Sequence, residues 1–173
     1  MQTTSDIKVI DDFFSEKEYQ LIDKMVHDSN WSWGHGSLPA DHPDCGKQRY
    51  FWCMDLISHV YFTHHLLNRI MEKDNNRYLL RDVYANGHTF ESGGYKHQDC
   101  YDDKGVTALL YVTETWDDSW KGRTKFYTDE ITYVTPKRNR MVIFPGIIHH
   151  NAEKTTSMFN DLRITVAWKL ELS

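Results

Sequence analysis

Two histidines and one aspartate are the residues of this chain whose types and spacing could bind a metal ion. His97 and Asp99 are separated by one residue, and His149-His150 follows much later. In an extended strand, residues i and i+2 project from the same face, so His97 and Asp99 can contact one ion. Two imidazoles and one carboxylate on one face of an octahedron leave three positions open, as in reactive Fe(II) sites, and two of these suit a bidentate keto acid. The alternative is a structural zinc site.

An arginine lies thirteen residues beyond His150, in a stretch that predicts a strand from Leu162 to Leu172. Its side chains alternate: Arg163, Thr165, Ala167 and Lys169 on one face, and Ile164, Val166, Trp168, Leu170 and Leu172 on the other. The pattern predicts helices packed on the apolar face and a polar cavity on the face that carries Arg163. A buried arginine needs an anion and suits the two-pronged binding of a carboxylate.

Other histidines are weaker candidates. A second His-x-Asp, His42-Pro43-Asp44, lies in a Pro-containing stretch with no strand pattern, and we treat it as coincidence. His59, His64 and His65 fall in a predicted helix, where adjacent residues point about 100° apart and do not easily share an ion. We expect no metal role for any of these.

The elements that must position the first set follow from the local patterns. Ser15 and Glu18 form a capping box that predicts a helix to about His27. A second helix is predicted from Ser58 to about Lys73. Between them, Asn30 to Asp44 predicts either an ordered surface loop or, through Trp31 and Trp33, a lid or substrate wall. A short strand is predicted at Ile7–Ile10. The later part of the chain predicts the short strands of an antiparallel sandwich or barrel, at 78–84, 96–99, 106–113, 124–127, 131–134, 141–144 and 162–172.

Composition limits the class. The 173 residues fit one domain with one core. A net charge of -5 gives no footprint for nucleic acid. Three cysteines without a CxxC pair predict neither disulfides nor a cysteine zinc site, which favours a reducing cytoplasm. No signal peptide and no apolar run of about 18–20 residues is present, so we expect a cytoplasmic protein that does not enter a membrane.

Several segments of the chain together match the pattern of one enzyme family: Arg81-Asp82-Val83-Tyr84-Ala85-Asn86-Gly87, Tyr95-Lys96-His97-Gln98-Asp99, Tyr111-Val112, Trp116, Trp120 to Tyr127, Asn139-Arg140-Met141-Val142-Ile143-Phe144-Pro145-Gly146 and Arg163-Ile164-Thr165. With these segments the chain resembles the prolyl-4-hydroxylase-like branch of the Fe(II)/2-oxoglutarate-dependent dioxygenases. The resemblance covers most of the chain from Ile7 and is specific between Asp82 and Trp168. The resemblance implies a mainly β protein: a single domain over 1–173, with N-terminal helices at about 15–75 supporting a double-stranded β-helix (jelly-roll, cupin-like) core at about 78–172.

The resemblance also assigns roles to residues. It implies His97, Asp99 and His150 as the iron ligands and catalytic centre, because the family histidine usually falls six residues after a phenylalanine, here Phe144. His149 is the rival. It implies Arg163 as the residue that holds the distal carboxylate of 2-oxoglutarate, with Thr165 as a helper. Tyr84 and Tyr111 match tyrosines that bind the co-substrate, although either could be a core aromatic residue.

The chain departs from the family at two positions. Many relatives have a Gly-Gly pair where this chain has Lys121-Gly122-Arg123, which leaves the shape of the substrate rim open. Cys100 directly follows the predicted ligand Asp99.

The activity implied is a dioxygenase that couples decarboxylation of 2-oxoglutarate to succinate with C–H hydroxylation, using Fe(II) and O2, with ascorbate as a stimulant. The expected substrate is a prolyl or other amino-acid residue in a peptide, or a free amino acid. Two alternatives stay open: a non-catalytic module that binds metal or 2-oxoglutarate on the same fold, and an oxygenase for an unrelated small molecule. Desaturation or cyclisation in place of hydroxylation, and the oligomeric state, are also left open.

Overall fold

The computed structural model describes residues 3–28 and 30–173. Its two α-helices are α1 (Glu16–Asp28) and α2 (Leu67–Asp74), and a π-helical turn (Tyr61–Leu66) leads directly into α2. Its ten strands are β1 (Lys8–Ile10), β2 (Ser32–His35), β3 (Phe51–Asp55), β4 (Tyr78–His88), β5 (Gly105–Val112), β6 (Thr124–Tyr127), β7 (Ile131–Val134), β8 (Met141–Pro145), β9 (His149–Ala152) and β10 (Arg163–Leu172).

The strands form two antiparallel sheets. The larger has the order β1-β8-β5-β10-β4-β3-β2, and the smaller has the order β7-β6-β9. One face of the larger sheet packs against the helices in a core that includes Tyr19, Phe62 and Trp168. Its other face meets the smaller sheet through a second cluster around Phe126 and Phe144. The predicted double-stranded β-helix with supporting helices is therefore confirmed.

Two elements at the helical face agree with their sequence signals. Ser15 donates both its backbone N–H and its hydroxyl to a Glu18 carboxylate oxygen, at 2.9 and 2.7 Å, which is the predicted capping box. The apolar face of β10 packs on the helices as predicted, and the Trp168 Nε1 donates to the Phe62 carbonyl at 3.0 Å. The opposite face of β10 is left for the interior between the sheets.

Other predictions need correction. The second helix begins at Tyr61 rather than Ser58, because His59 N–H donates to Leu56 O and closes a turn before it. Residues 96–99 are not a strand: only His97 forms a β-bridge, with His150. The stretch from Asn30 is not all loop, because β2 pairs with β3, which pairs with β4. The strands β2, β3 and β9 were not predicted. Each is formed by pairing with another segment of the chain, β2 with β3, β3 with β4 and β9 with β6.

Among the described residues, no helix is both long enough and apolar enough to cross a membrane.

Candidate metal centre and cavity

His97, Asp99 and His150 come together between the two sheets. Each offers one ligand atom, and the three atoms lie within 4.8 Å of one another. Two backbone hydrogen bonds link His97 and His150, at 3.0 and 2.9 Å, and the Asp99 N–H donates to the Gly146 carbonyl at 2.8 Å. A single β-bridge to β9, and not the predicted strand at 96–99, thus holds His97 beside His150.

The two imidazoles are held with the same nitrogen facing the cluster. Nδ1 of His97 lies 2.8 Å from the Tyr95 carbonyl, and Nδ1 of His150 lies 2.9 Å from the Ile148 carbonyl. A carbonyl oxygen can only accept, so each Nδ1 carries a proton and each Nε2 keeps a lone pair. The Nε2 atoms lie 3.4 and 3.5 Å from the two Asp99 oxygens. A backbone acceptor on the remote nitrogen is the usual support for a metal-binding histidine.

Burial sets the charge states in the cluster. It lowers the pKa of His150 to about 4, although Asp99 acts in the opposite sense, so this imidazole is neutral near pH 7. Burial would raise the pKa of Asp99, but Lys169 and the two histidines outweigh it and hold that pKa well below its usual value. Two imidazole nitrogens and one carboxylate therefore face one point, and this donor set fits a divalent iron ion.

Lys169 and Thr107 fix the carboxylate. Lys169 Nζ and Thr107 Oγ1 each lie 2.5 Å from Asp99 Oδ2. Oδ1 is turned toward His97 instead. The alternation of β10 placed Lys169 on the cavity face, but nothing in the sequence linked it to Asp99, and no signal singled out Thr107.

Arg163 occupies the other end of the same strand face and is 2% exposed. Its Nε donates to the Gly122 carbonyl at 2.5 Å, and Nη2 donates to Thr124 Oγ1 at 3.2 Å. Both acceptors are neutral, and none of the ion pairs found among residues 3–28 and 30–173 includes this guanidinium. Burial lowers the pKa of Arg163, which reflects the cost of desolvating an unpaired cation. The site therefore fits an anionic group.

The departure from the family's Gly-Gly pair at residues 121–123 leaves the hydrogen bond between Arg163 Nε and the Gly122 carbonyl in place. Gly122 has a φ of +63°, a left-handed conformation that favours glycine. A Cβ at this position would lie 2.9 Å from both Thr155 and Trp116 side-chain carbons. Gly122 thus has no room for a side chain at the point where its carbonyl accepts from Arg163, and Lys121 before it also has a positive φ, of +57°.

One cavity of about 680 Å³ is lined both by the His97–Asp99–His150 cluster and by Arg163. The predicted residues His97, Asp99, His150, Tyr84, Arg163 and Thr165 all line it. Tyr111 does not: it is fully buried, and its hydroxyl pairs with Thr124 Oγ1 at 2.5 Å and with the Val134 carbonyl at 3.1 Å. Its position is that of a core aromatic residue behind Arg163, whose guanidinium lies 5.3 Å from its ring centroid.

The rival positions stay outside the cluster. His149 is exposed, whereas His150 is buried. His42 accepts the backbone N–H of Asp44 within its own loop. Residues 34–40 line the cavity, but Trp33 is 58% exposed and Trp31 packs on the helical core. Burial raises the pKa of Cys100, so its thiol stays protonated.

A jelly-roll core that encloses two histidines, a carboxylate and a buried arginine in one cavity is the architecture of the non-haem metal oxygenases. The model of the 2OG-Fe(II) oxygenase superfamily matches residues 83–168. No curated protein sequence matches the chain significantly. The chain belongs to the 2OG-Fe(II) oxygenase superfamily and is an oxidoreductase of the Fe(II)- and 2-oxoglutarate-dependent type.

Solved structures with different ligands share the fold. An oxidoreductase of the 2OG-Fe(II) oxygenase family from Burkholderia pseudomallei superimposes with a TM-score of 0.75 at 10% identity, over 97% of this chain and 86% of that chain. A Trichoplax adhaerens prolyl hydroxylase in complex with a hypoxia inducible factor peptide gives 0.72 at 13%, over 97% and 84%. HygX from Streptomyces hygroscopicus, with nickel, 2-oxoglutarate and hygromycin B bound, gives 0.72 at 12%, over 97% and 83%. At such identities the likeness establishes the fold alone.

Proposed function

We propose that this protein hydroxylates an amino-acid residue, most simply a prolyl residue in a peptide, while converting 2-oxoglutarate to succinate. The observation that carries the proposal is that the His97–Asp99–His150 cluster and the unpaired Arg163 face the same cavity. Metal donors alone would suit a zinc site, and an unpaired cation alone would suit any anion. Their combination fits an ion and a dicarboxylate bound side by side.

Each residue then has a distinct task. His97, His150 and Asp99 Oδ1 would hold Fe(II), and Arg163 with Thr165 would hold the distal carboxylate of 2-oxoglutarate. When bound, iron and 2-oxoglutarate supply the oxidation of an unactivated C–H bond by dioxygen, with release of succinate and CO2. Lys169 and Thr107 keep Asp99 Oδ2 occupied, so that Oδ1 is presented to the ion. Leu109 and Phe144 give the cavity wall apolar surface beside the polar residues.

The substrate preference is supported by the resemblance to prolyl-4-hydroxylases and by the peptide complex among the solved structures. The cavity volume lies within the range of about 300–1,000 Å³ that is usual for small-molecule sites, so one side chain of a peptide can enter beside the co-substrate. The HygX complex makes a small polar molecule the alternative occupant.

The test is succinate formation with Fe(II), ascorbate and 2-oxoglutarate over a panel of prolyl peptides, other peptides and free amino acids. We expect one class to stimulate succinate formation and to gain the mass of one oxygen atom. His150→Ala should abolish the stimulated activity, while His149→Ala, its exposed neighbour, should retain it. Full turnover by His150→Ala would refute the ligand assignment, and modification of only non-peptide compounds would refute the substrate.

A further inference from the structure

A second polar side chain stands directly beside Arg163. His88 is the last residue of β4 and lies opposite Arg163 in the β4–β10 register. Both side chains line the cavity, and His88 is 3% exposed. Directly opposed residues of an antiparallel pair have their Cβ atoms about 4.5–5.5 Å apart. Arg163 and His88 therefore form one cross-strand pair on the cavity wall.

The imidazole of His88 has no hydrogen-bond partner in the described part of the chain. Neither ring nitrogen is hydrogen-bonded, although both are buried. Buried polar groups in native proteins are nearly always hydrogen-bonded, and exceptions call for an explanation such as a missing ligand. Both nitrogens are shielded from solvent, but the residue lines the cavity beside Arg163, so the ring lies next to the space that a carboxylate held by Arg163 would fill.

The neighbours of His88 determine what it can donate. Its ring lies against Phe51, with centroids 4.4 Å apart and a 31° angle between planes, so one face of the imidazole is covered by an apolar group that offers no hydrogen bond. Burial, reinforced by Arg163 and His35, lowers the pKa of His88 well below its usual value. The ring is therefore neutral and has one N–H to donate. A neutral donor beside an arginine adds a hydrogen bond without adding charge repulsion.

Arg163 leaves part of its guanidinium for a ligand. Nε and Nη2 are used by Gly122 and Thr124, and Nη1 makes no hydrogen bond with the described residues. Thr165 lies two residues along the same strand face and also lines the cavity. Arginine, histidine and threonine thus present three kinds of donor to one region, and a carboxylate can accept several hydrogen bonds through its two oxygens.

We propose that His88 is a further co-substrate-binding residue, whose N–H donates to the distal carboxylate that Arg163 holds. This inference rests on the proposed function, because it assumes that the dicarboxylate occupies this end of the cavity. The carboxylate would accept from the one protonated ring nitrogen. His88 would then help to distinguish a dicarboxylate from a 2-oxo acid of the same length that lacks the distal carboxylate.

The test compares two ligands of equal chain length, 2-oxoglutarate and 2-oxopentanoate, by calorimetric titration of the protein loaded with Mn(II) in place of Fe(II). His88→Leu should bind 2-oxoglutarate about tenfold or more weakly, since a hydrogen bond to a charged group is lost. Its affinity for 2-oxopentanoate should stay within about twofold. His88→Gln, which keeps an N–H donor, should lose less. His149→Leu applies the same change to an exposed histidine outside the cavity wall and should leave the ligand ratio unchanged.

The outcomes separate this inference from the proposed function. If Arg163→Leu weakens 2-oxoglutarate binding while both His88 variants keep the wild-type ratio, the role of His88 is refuted and the proposed function stands. If the His88 variants instead raise only the KM for the hydroxylated substrate, His88 recognises substrate and the inference is again refuted. If the wild-type protein itself does not prefer 2-oxoglutarate, the proposed function fails first.

Discussion

Strand β10 carries two cations on its cavity face, the buried Arg163 and the half-buried Lys169, and they are balanced in different ways. Lys169 lies 2.5 Å from an Asp99 oxygen, so its charge is neutralised within the folded protein. Arg163, six residues earlier, donates to a carbonyl and a hydroxyl, and it forms no ion pair with any of the described residues. The charge of Lys169 is balanced by folding, whereas the charge of Arg163 is left for the anion that we propose binds there. One strand therefore combines a preformed support for the metal cluster with an anion site that has no charge partner of its own.

The largest expected effect on the unfolding free energy comes from removing the charge of Lys169, which is paired with Asp99. Lys169→Met leaves Asp99 as a buried carboxylate without its cation, and removal of one partner of a buried ion pair typically costs about 3–5 kcal/mol. We expect the metal-free protein to lose that amount of unfolding free energy in urea. Excess Mn(II) should restore part of it, because a dication can replace the lost charge and binds only the native state.

Lys169→Arg provides the matched control, since it keeps the positive charge at the same place. It should retain most of the stability that Lys169→Met loses. Equal urea midpoints for metal-free wild type and Lys169→Met would show that the Asp99–Lys169 pair contributes nothing to the folded state.

The opposite end should respond in the opposite way. Arg163→Leu removes a buried cation that has no carboxylate partner, so the unfolding free energy of the metal-free protein should change by no more than about 1 kcal/mol. The affinity for 2-oxoglutarate should fall about 10- to 100-fold, because charge-assisted hydrogen bonds worth about 1.5–3 kcal/mol are lost. Urea unfolding and calorimetric titration measure the two quantities. If Arg163→Leu destabilises the metal-free protein as much as Lys169→Met does, the two ends are balanced alike.

The sequence was sufficient where one strand decides the outcome. The alternation of β10 put Arg163, Thr165 and Lys169 on one face, and the structure places all three in the cavity wall. The predicted bounds of β6 and β7 agree with the structure, because turn residues bracket each of them.

Features that depend on pairing between distant segments were beyond the reach of the sequence. His35 and Phe51 reach the cavity wall because β2 and β3 extend the larger sheet next to β4. The partner of Lys169 is 70 residues away in the chain, so no local pattern could link it to Asp99. His88 was not singled out, because a histidine at the end of a strand becomes informative only when its missing partners are known.

A carboxylate outside the cavity supplies the scale for the smallest expected effect. Glu18 accepts from Ser15 and from Arg69 Nε, the latter at 2.9 Å. Burial would raise its pKa, but the Ser15 and Arg69 hydrogen bonds outweigh it and lower the pKa to about 2. A depressed carboxylate pKa stabilises the fold above the unfolded value near 4.5, and this stabilisation is lost as the pH falls from about 4.5 toward about 2.

Glu18→Gln should therefore cost about 1 kcal/mol at pH 7, less than Lys169→Met, because the Arg69 side chain is 46% exposed and water screens the pair. The difference between Glu18→Gln and wild type should shrink when urea unfolding is repeated at pH 3, since wild-type Glu18 is then protonated in the unfolded chain and stabilises the fold less. A difference that stays constant from pH 7 to pH 3 would mean that Glu18 acts through its shape and not through its charge. The stability cost of Glu18→Gln could then no longer serve as the exposed counterpart to that of Lys169→Met. A larger cost of Lys169→Met could not be attributed to the deeper burial of Asp99.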